Sequence, residues 1–63
     1  MSFSEVAHIK EEQKFIRELT SYLLLLSEKQ ILQEVTYRDM STALLTRKHQ
    51  LEVEYENINK LNN

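Results

Sequence analysis

The residues of this chain able to do chemistry are few, and His8, Glu12 and His49 are the first to weigh. His8 and Glu12 stand four apart, so on a helix they share a face, as metal ligands can. A metal site needs three or four convergent ligands with oriented outer partners, and the only other histidine, His49, lies 41 residues further on. In a hairpin the two ends would approach. The ligand count still favours solvated surface histidines, with no metal and no cofactor. Glu52, Glu54 and Glu56 alternate, so on a helix Glu52 and Glu56 share a face while Glu54 points elsewhere, which describes a solvated face. Catalysis needs a nucleophile, or an acid and a base, held in a pocket, and the Ser, Thr and carboxylate side chains here are spread over exposed helical positions. With no Gly there is no phosphate-binding loop. The sequence therefore predicts no catalytic residue and no enzyme activity for this chain.

Arg47, Lys48 and His49 form the densest basic spot, a candidate for phosphate or an acidic lipid head group. Three residues are too few for nucleic-acid affinity at physiological salt, and rim charges pairing with Glu52 or with a partner's acids are the plainer account. Tyr22, Tyr37 and Tyr55, with Phe3 and Phe15, could stack on bases, but at these spacings they read as interface aromatics.

The elements that carry these side chains follow from composition. The chain has 63 residues with no Gly, no Pro and no Cys, 41% hydrophobic and 29% charged, the profile of an all-α or coiled-coil segment rather than of a sheet with turns. Such a length is marginal for a self-sufficient core, and neither disulfides nor a metal site compensate, so partners are expected. Eight basic and ten acidic residues give a net charge of -2 with the signs interleaved, which argues against a nucleic-acid partner. The longest apolar run, Tyr22 to Leu26, is far below the roughly 20 residues of a membrane span. The charged first twenty residues predict no targeting segment, and the absence of Cys suits a cytoplasmic setting.

Heptad spacing is the strongest pattern. Ile9, Ile16, Leu23, Gln30, Tyr37, Leu44, Leu51 and Ile58 recur every seven residues, and seven of the eight are apolar or aromatic. Three residues further on come Glu12, Leu19, Leu26, Gln33, Met40, Arg47, Glu54 and Leu61, of which half are apolar. The seam is good from Phe15 to Leu26, weak in the middle, and moderate from Met40 to Leu51. Where Gln30 and Gln33 occupy it, Ile31, Leu32 and Val35 put the apolar surface elsewhere on the helix. Those glutamines either fix register inside a bundle or, if the chain bends, face water.

Two architectures explain the step: a long continuous amphipathic helix, towards which the balance leans, or a helical hairpin with its connection near Glu34 to Thr42, "EVTYRDMST". The hairpin has support from β-branched Val35 and Thr36 and from Asp39 or Ser41 as caps of a second helix. Against it stand the missing Gly and Pro, and a well-placed Glu34 and Arg38 pair across the supposed loop. At the start, Ser2 and Glu5 can form a capping box and Met1 and Val6 a hydrophobic staple, with Ser4 a competing cap. In "YLLLLSEKQILQ", Leu23 and Leu26 join the main seam, Leu24 continues towards Ile31 and Val35, and Leu25 towards Leu32. A two-stranded coiled coil would leave Leu24 and Leu25 in water, so the pattern favours three or more helices or a dimer of hairpins.

The stretch Leu44 to Glu56, "LLTRKHQLEVEYE", resembles the BAR-domain arms of sorting nexins, where a helix carries a paired basic residue, Gln, an apolar residue and Glu-Tyr-Glu; "FIRELTSYLLLLSEKQ" is similar in style to the turns that precede it. The resemblance implies a dimerising helix from membrane-trafficking machinery, with Arg47 and Lys48 on a lipid-facing side and Leu44 and Leu51 in a bundle core. This chain has room for one or two helices where a BAR domain has three, and its negative charge opposes membrane binding.

The expectation is a single non-enzymatic helical interaction module over residues 1-63, acting by self-association or by joining another helical protein. Ile16, Leu19, Leu23, Leu26, Leu44 and Leu51 form its seam, with Phe15, Tyr22, Tyr37, Met40 and Ile58 beside them. The alternative is a small regulator docking Leu24, Leu25, Ile31, Leu32 and Val35 on an enzyme or a transcription factor.

Overall fold

A computed structural model describes residues 3–62 as two α-helices, α1 (Phe3–Glu28) and α2 (Glu34–Asn62), packed against each other as a hairpin. The all-α class is as the composition requires, and there is no strand among the described residues. Of the two architectures the hairpin is the one formed, and the chain does not run on as one helix. One correction concerns the connection, which lies at 29–33, just before the segment expected to hold it. Val35 and Thr36 stand in the first turn of α2, and Asp39 and Ser41 lie inside that helix and cap nothing. Its first turn is instead started by the Gln33 carbonyl, which accepts the Tyr37 amide at 2.9 Å.

The reversal is made without glycine. The Gln30 N–H donates to the Ser27 carbonyl at 3.0 Å and the Ile31 N–H to the Leu26 carbonyl at 2.9 Å. These two bonds are the Schellman pattern, which closes a helix through one left-handed residue. Gln30 is that residue, with φ of 59°. A side chain there costs roughly 1–2 kcal/mol because Cβ crowds the following carbonyl, a cost small enough for helix packing to override. Both seam glutamines, Gln30 and Gln33, are exposed in the connection, so the weak middle of the heptad pattern is where neither helix needs an apolar side chain.

The core is one row of residues. Ile9, Ile16, Leu23 and Leu51 are buried, with Leu51 only 1% exposed. Leu44, Tyr55 and Ile58 pack, half-buried, against the cluster of Ile9, Ile16 and Leu51. Every helical member of the strict heptad series is thus buried or half-buried, because a seven-residue repeat keeps one stripe facing the neighbouring helix. Lys10 lies over the Tyr55 ring at 5.9 Å, adding a weak exposed cation–π contact. Helix α1 begins at Phe3, which sets Ser4 in its first turn; the capping box of Ser2 and the staple of Met1 involve residues outside the described range.

One row of core leaves a thin molecule, 47 × 15 × 11 Å, with a radius of gyration of 14.6 Å against about 10.6 Å for a compact domain of this length. Its accessible surface of 5133 Å² exceeds the roughly 4,300 Å² of a compact monomer of this mass. No helix among the described residues is long and apolar enough to cross a membrane.

Candidate interaction surface

The second heptad series shows how the two sides of the hairpin differ. Glu12 of α1 and Arg47 of α2 both belong to it, and they meet across the helices: Arg47 Nε donates to Glu12 Oε2, and Arg47 Nη2 to Glu12 Oε1 at 2.9 Å. Arg47 Nη1 donates to Gln50 Oε1 at 3.3 Å and stands 3.6 Å from Glu54 Oε1. The three polar residues that look like defects in the repeat are therefore one cluster, two carboxylates around a guanidinium. Forked pairing of this kind is the stronger form of ion pair. The hydrogen bonds from Arg47 hold the Glu12 carboxyl below the ordinary carboxylate range, against the smaller opposing effect of burial. Hydrogen bonding to Glu12 likewise raises Arg47.

Because Glu12, Leu19 and Leu26 are spaced by sevens, and Met40, Arg47 and Glu54 likewise, the Glu12–Arg47 bridge identifies one open side of the hairpin. Towards the free ends that side is polar. Towards the connection it is apolar: Phe15, Leu19, Tyr22 and Leu26 follow the i, i+4, i+7, i+11 spacing of one helical stripe, and Met40 of α2 lies seven residues before Arg47 in the same series. Phe15 is 59%, Tyr22 56% and Met40 44% exposed, and Leu19 and Leu26 are half-buried. The opposite side is more mixed, a groove of about 470 Å³ where Arg17 and Lys48 flank Thr20, Ser41 and Leu45.

The expected interface residues thus divide into three groups. Ile16, Leu23, Leu44, Leu51, Tyr37 and Ile58 lie on the stripe that α1 and α2 turn towards each other. Phe15, Leu19, Tyr22, Leu26 and Met40 form the apolar side just described. Leu24, Leu25, Ile31 and Val35 are exposed around the connection, Ile31 at 66%, with Leu32 half-buried among them. Leu45 and Val53, also more than half exposed, were not singled out by the heptad count, because both fall outside its two series. The Glu12–Arg47–Glu54 cluster was missed as well, although opposite charges in a single heptad series, on the two halves of a chain that turns back, are its visible signal.

The chemistry weighed first has no constellation to support it among the described residues. No three of His, Cys, Asp and Glu come together as metal ligands. His8 lines the groove beside Glu12, Arg47 and Glu54, but both Glu12 oxygens are engaged by Arg47. His49 sits beside Glu52 at 3.6 Å, well exposed. The Thr20 and Thr46 hydroxyls donate to the Ile16 and Thr42 carbonyls of their own helices at 2.7 and 3.0 Å, the usual resting place of a helical threonine. Of the two cations that the BAR-arm resemblance sets towards lipid, Arg47 is held in the cluster and Lys48 lies in the opposite groove. Comparison with known proteins adds no name to this arrangement: no family model, curated protein or solved structure matches the chain.

Proposed function

We propose that this chain is a non-enzymatic helical interaction module that works by self-association, its hairpin being half of a larger helical bundle. The observation that carries the reading is the mismatch between a single-row core and the surface around it. Among the described residues four apolar side chains are buried, whereas Phe15, Tyr22, Leu24, Leu25, Ile31, Val35 and Met40 lie open from the middle of the hairpin to the connection. Burying one such side chain contributes about 1.5–3 kcal/mol, so covering a few of them outweighs anything further the isolated hairpin can gain. The reducing cytoplasm suits a chain without cysteine.

Sedimentation equilibrium over a concentration series, with circular dichroism on the same samples, tests the reading. A helical species that associates reversibly, with its melting temperature rising with concentration, is the expected result. A fully helical, cooperatively melting monomer at every attainable concentration would overturn it. A second reading draws on the exposed ring around the connection, Leu25, Ile31 and Val35 with Leu32, as a docking surface for a different protein, an enzyme or a transcription factor. On that reading Leu25→Ser with Leu32→Ser leaves self-association intact and removes capture of the other protein.

A further inference from the structure

We infer that the partner is a second copy of this chain, laid antiparallel across the side marked by the Glu12–Arg47 bridge, so that only the connection-proximal halves overlap. This rests on the self-association proposed above and specifies which face associates and in which direction. Three features carry it.

The first is area. Phe15 and Tyr22, each more than half exposed, present on the order of 100 Å² apiece. With Met40 and the half-buried Leu19 and Leu26 the apolar patch is about 400 Å² per copy, in the range that marks interaction sites on small proteins. Roughly 60% of a typical interface is apolar, so a patch of this size belongs to a contact of about 1,300 Å² in total, just above the roughly 1,000 Å² that a specific interface needs. The opposite side carries Arg17, Lys48 and Glu52 around its groove, charged groups whose burial costs more than covering an apolar stripe.

The second is the charge at the free ends. The Glu12–Arg47–Glu54 cluster carries a net charge of -1. A two-fold axis along the helices would stack two such clusters on each other, like charge against like. An axis perpendicular to the helices, passing at the height of Leu19 and Tyr22, separates them.

The third is complementarity under that perpendicular axis. Each α1 then crosses its copy in the opposite direction, with Leu19 of one chain against Tyr22 of the other. Lys29, which follows α1 and has no ion pair of its own, comes level with Glu11 and Glu12 of the second copy. Glu11 and Lys29 are 18 residues apart, five whole turns at 3.6 residues per turn, and the Lys29 N–H still donates to the Leu25 carbonyl at 3.0 Å, so Lys29 continues the face of α1 on which Glu11 stands. The cluster that bridges the helices within a chain thereby also ends the apolar contact and receives a cation from the other chain.

Because the chain has no cysteine, the double variant Glu11→Cys/Lys29→Cys is a clean probe. Its two thiols are about 27 Å apart along one helix and cannot join within a chain. Under mild oxidation a covalent dimer with no remaining free thiol is expected, and X-ray scattering of the unmodified protein should show a particle about 70 Å long, since the overlap from residue 12 to residue 29 is about 26 Å. Phe15→Ser/Tyr22→Ser should weaken association about 100-fold or more while retaining helicity, and Leu24→Ser should leave it within about threefold. A dimer about 50 Å long that forms no Glu11→Cys/Lys29→Cys bridge, or one weakened by Leu24→Ser and not by Phe15→Ser/Tyr22→Ser, overturns this arrangement and leaves self-association standing. An unmodified chain that stays monomeric overturns both.

Discussion

Replacing Gln30 by glycine separates a hairpin from a continuous helix by the sign of a single number. Gln30 holds φ at 59°, where a residue with a Cβ is disfavoured by roughly 1–2 kcal/mol and glycine is not. Against that relief, glycine loses about 0.5–1 kcal/mol through the greater freedom of the unfolded chain. Gln30→Gly should therefore stabilise the protein by about 0.5–1 kcal/mol, which at this size is a rise in melting temperature of roughly 3–6 °C. Gln30→Asn should do part of the same, because asparagine tolerates the left-handed region, and Gln30→Val should lower the melting temperature because a β-branched side chain does not. The assay is thermal unfolding followed at the helical circular-dichroism band, at matched protein concentration so that association does not contribute. In a helix running unbroken through residue 30 the order inverts: glycine there costs up to about 1 kcal/mol and alanine stabilises. A lower melting temperature for Gln30→Gly with a higher one for Gln30→Ala would refute the Schellman closure and the hairpin with it.

Leu51→Ala removes the most deeply buried side chain and should cost about 2–4 kcal/mol, enough to abolish a cooperative urea transition at low protein concentration; a shift of less than about 1 kcal/mol would mean the helices do not meet on this row. Hydrogen bonds from Arg47 lower the Glu12 pKa below its ordinary value of 4.5, so that carboxylate's contribution is fully present above its unfolded pKa and is lost as the pH falls through the lowered one. The urea midpoint of the unmodified chain should fall over that acid range by more than that of Glu12→Gln, and equal slopes for the two would show the bridge to be idle. Asp39→Ala should change stability by no more than about 0.5 kcal/mol, since Asp39 sits on an exposed helical surface, whereas a loss near 1 kcal/mol in the urea midpoint would restore it as a helix cap.

Much of this organisation is legible in the order of the residues. The repeat of Ile9, Ile16, Leu23, Tyr37, Leu44, Leu51 and Ile58 marks the stripe that each helix turns inward, because burial of apolar surface at a seven-residue spacing acts identically wherever the neighbouring helix lies. The interruption at Gln30 and Gln33 coincides with the connection for the complementary reason, that both are exposed there and an unpaired polar residue is tolerated in a seam where no second helix lies against it. The capping signals at Asp39 and Ser41 misled because they are weak local preferences, and packing along the whole row outweighs them.

Sequence alone determined that the chain is helical, that its helices are amphipathic, and that it has more apolar surface than one stripe can hide, since these follow from composition and from the fixed 100° turn of a helix. Tertiary structure decided the rest. It decided that the chain turns at Gln30, where helix packing outweighs the strain of a left-handed residue that local preference assigns to glycine. It decided that Glu12, Arg47 and Glu54 are one cluster, because only the reversal brings residues 35 positions apart within a hydrogen bond. And it decided which leucines are already covered and which remain open, because a stripe is hidden only once a second helix lies against it.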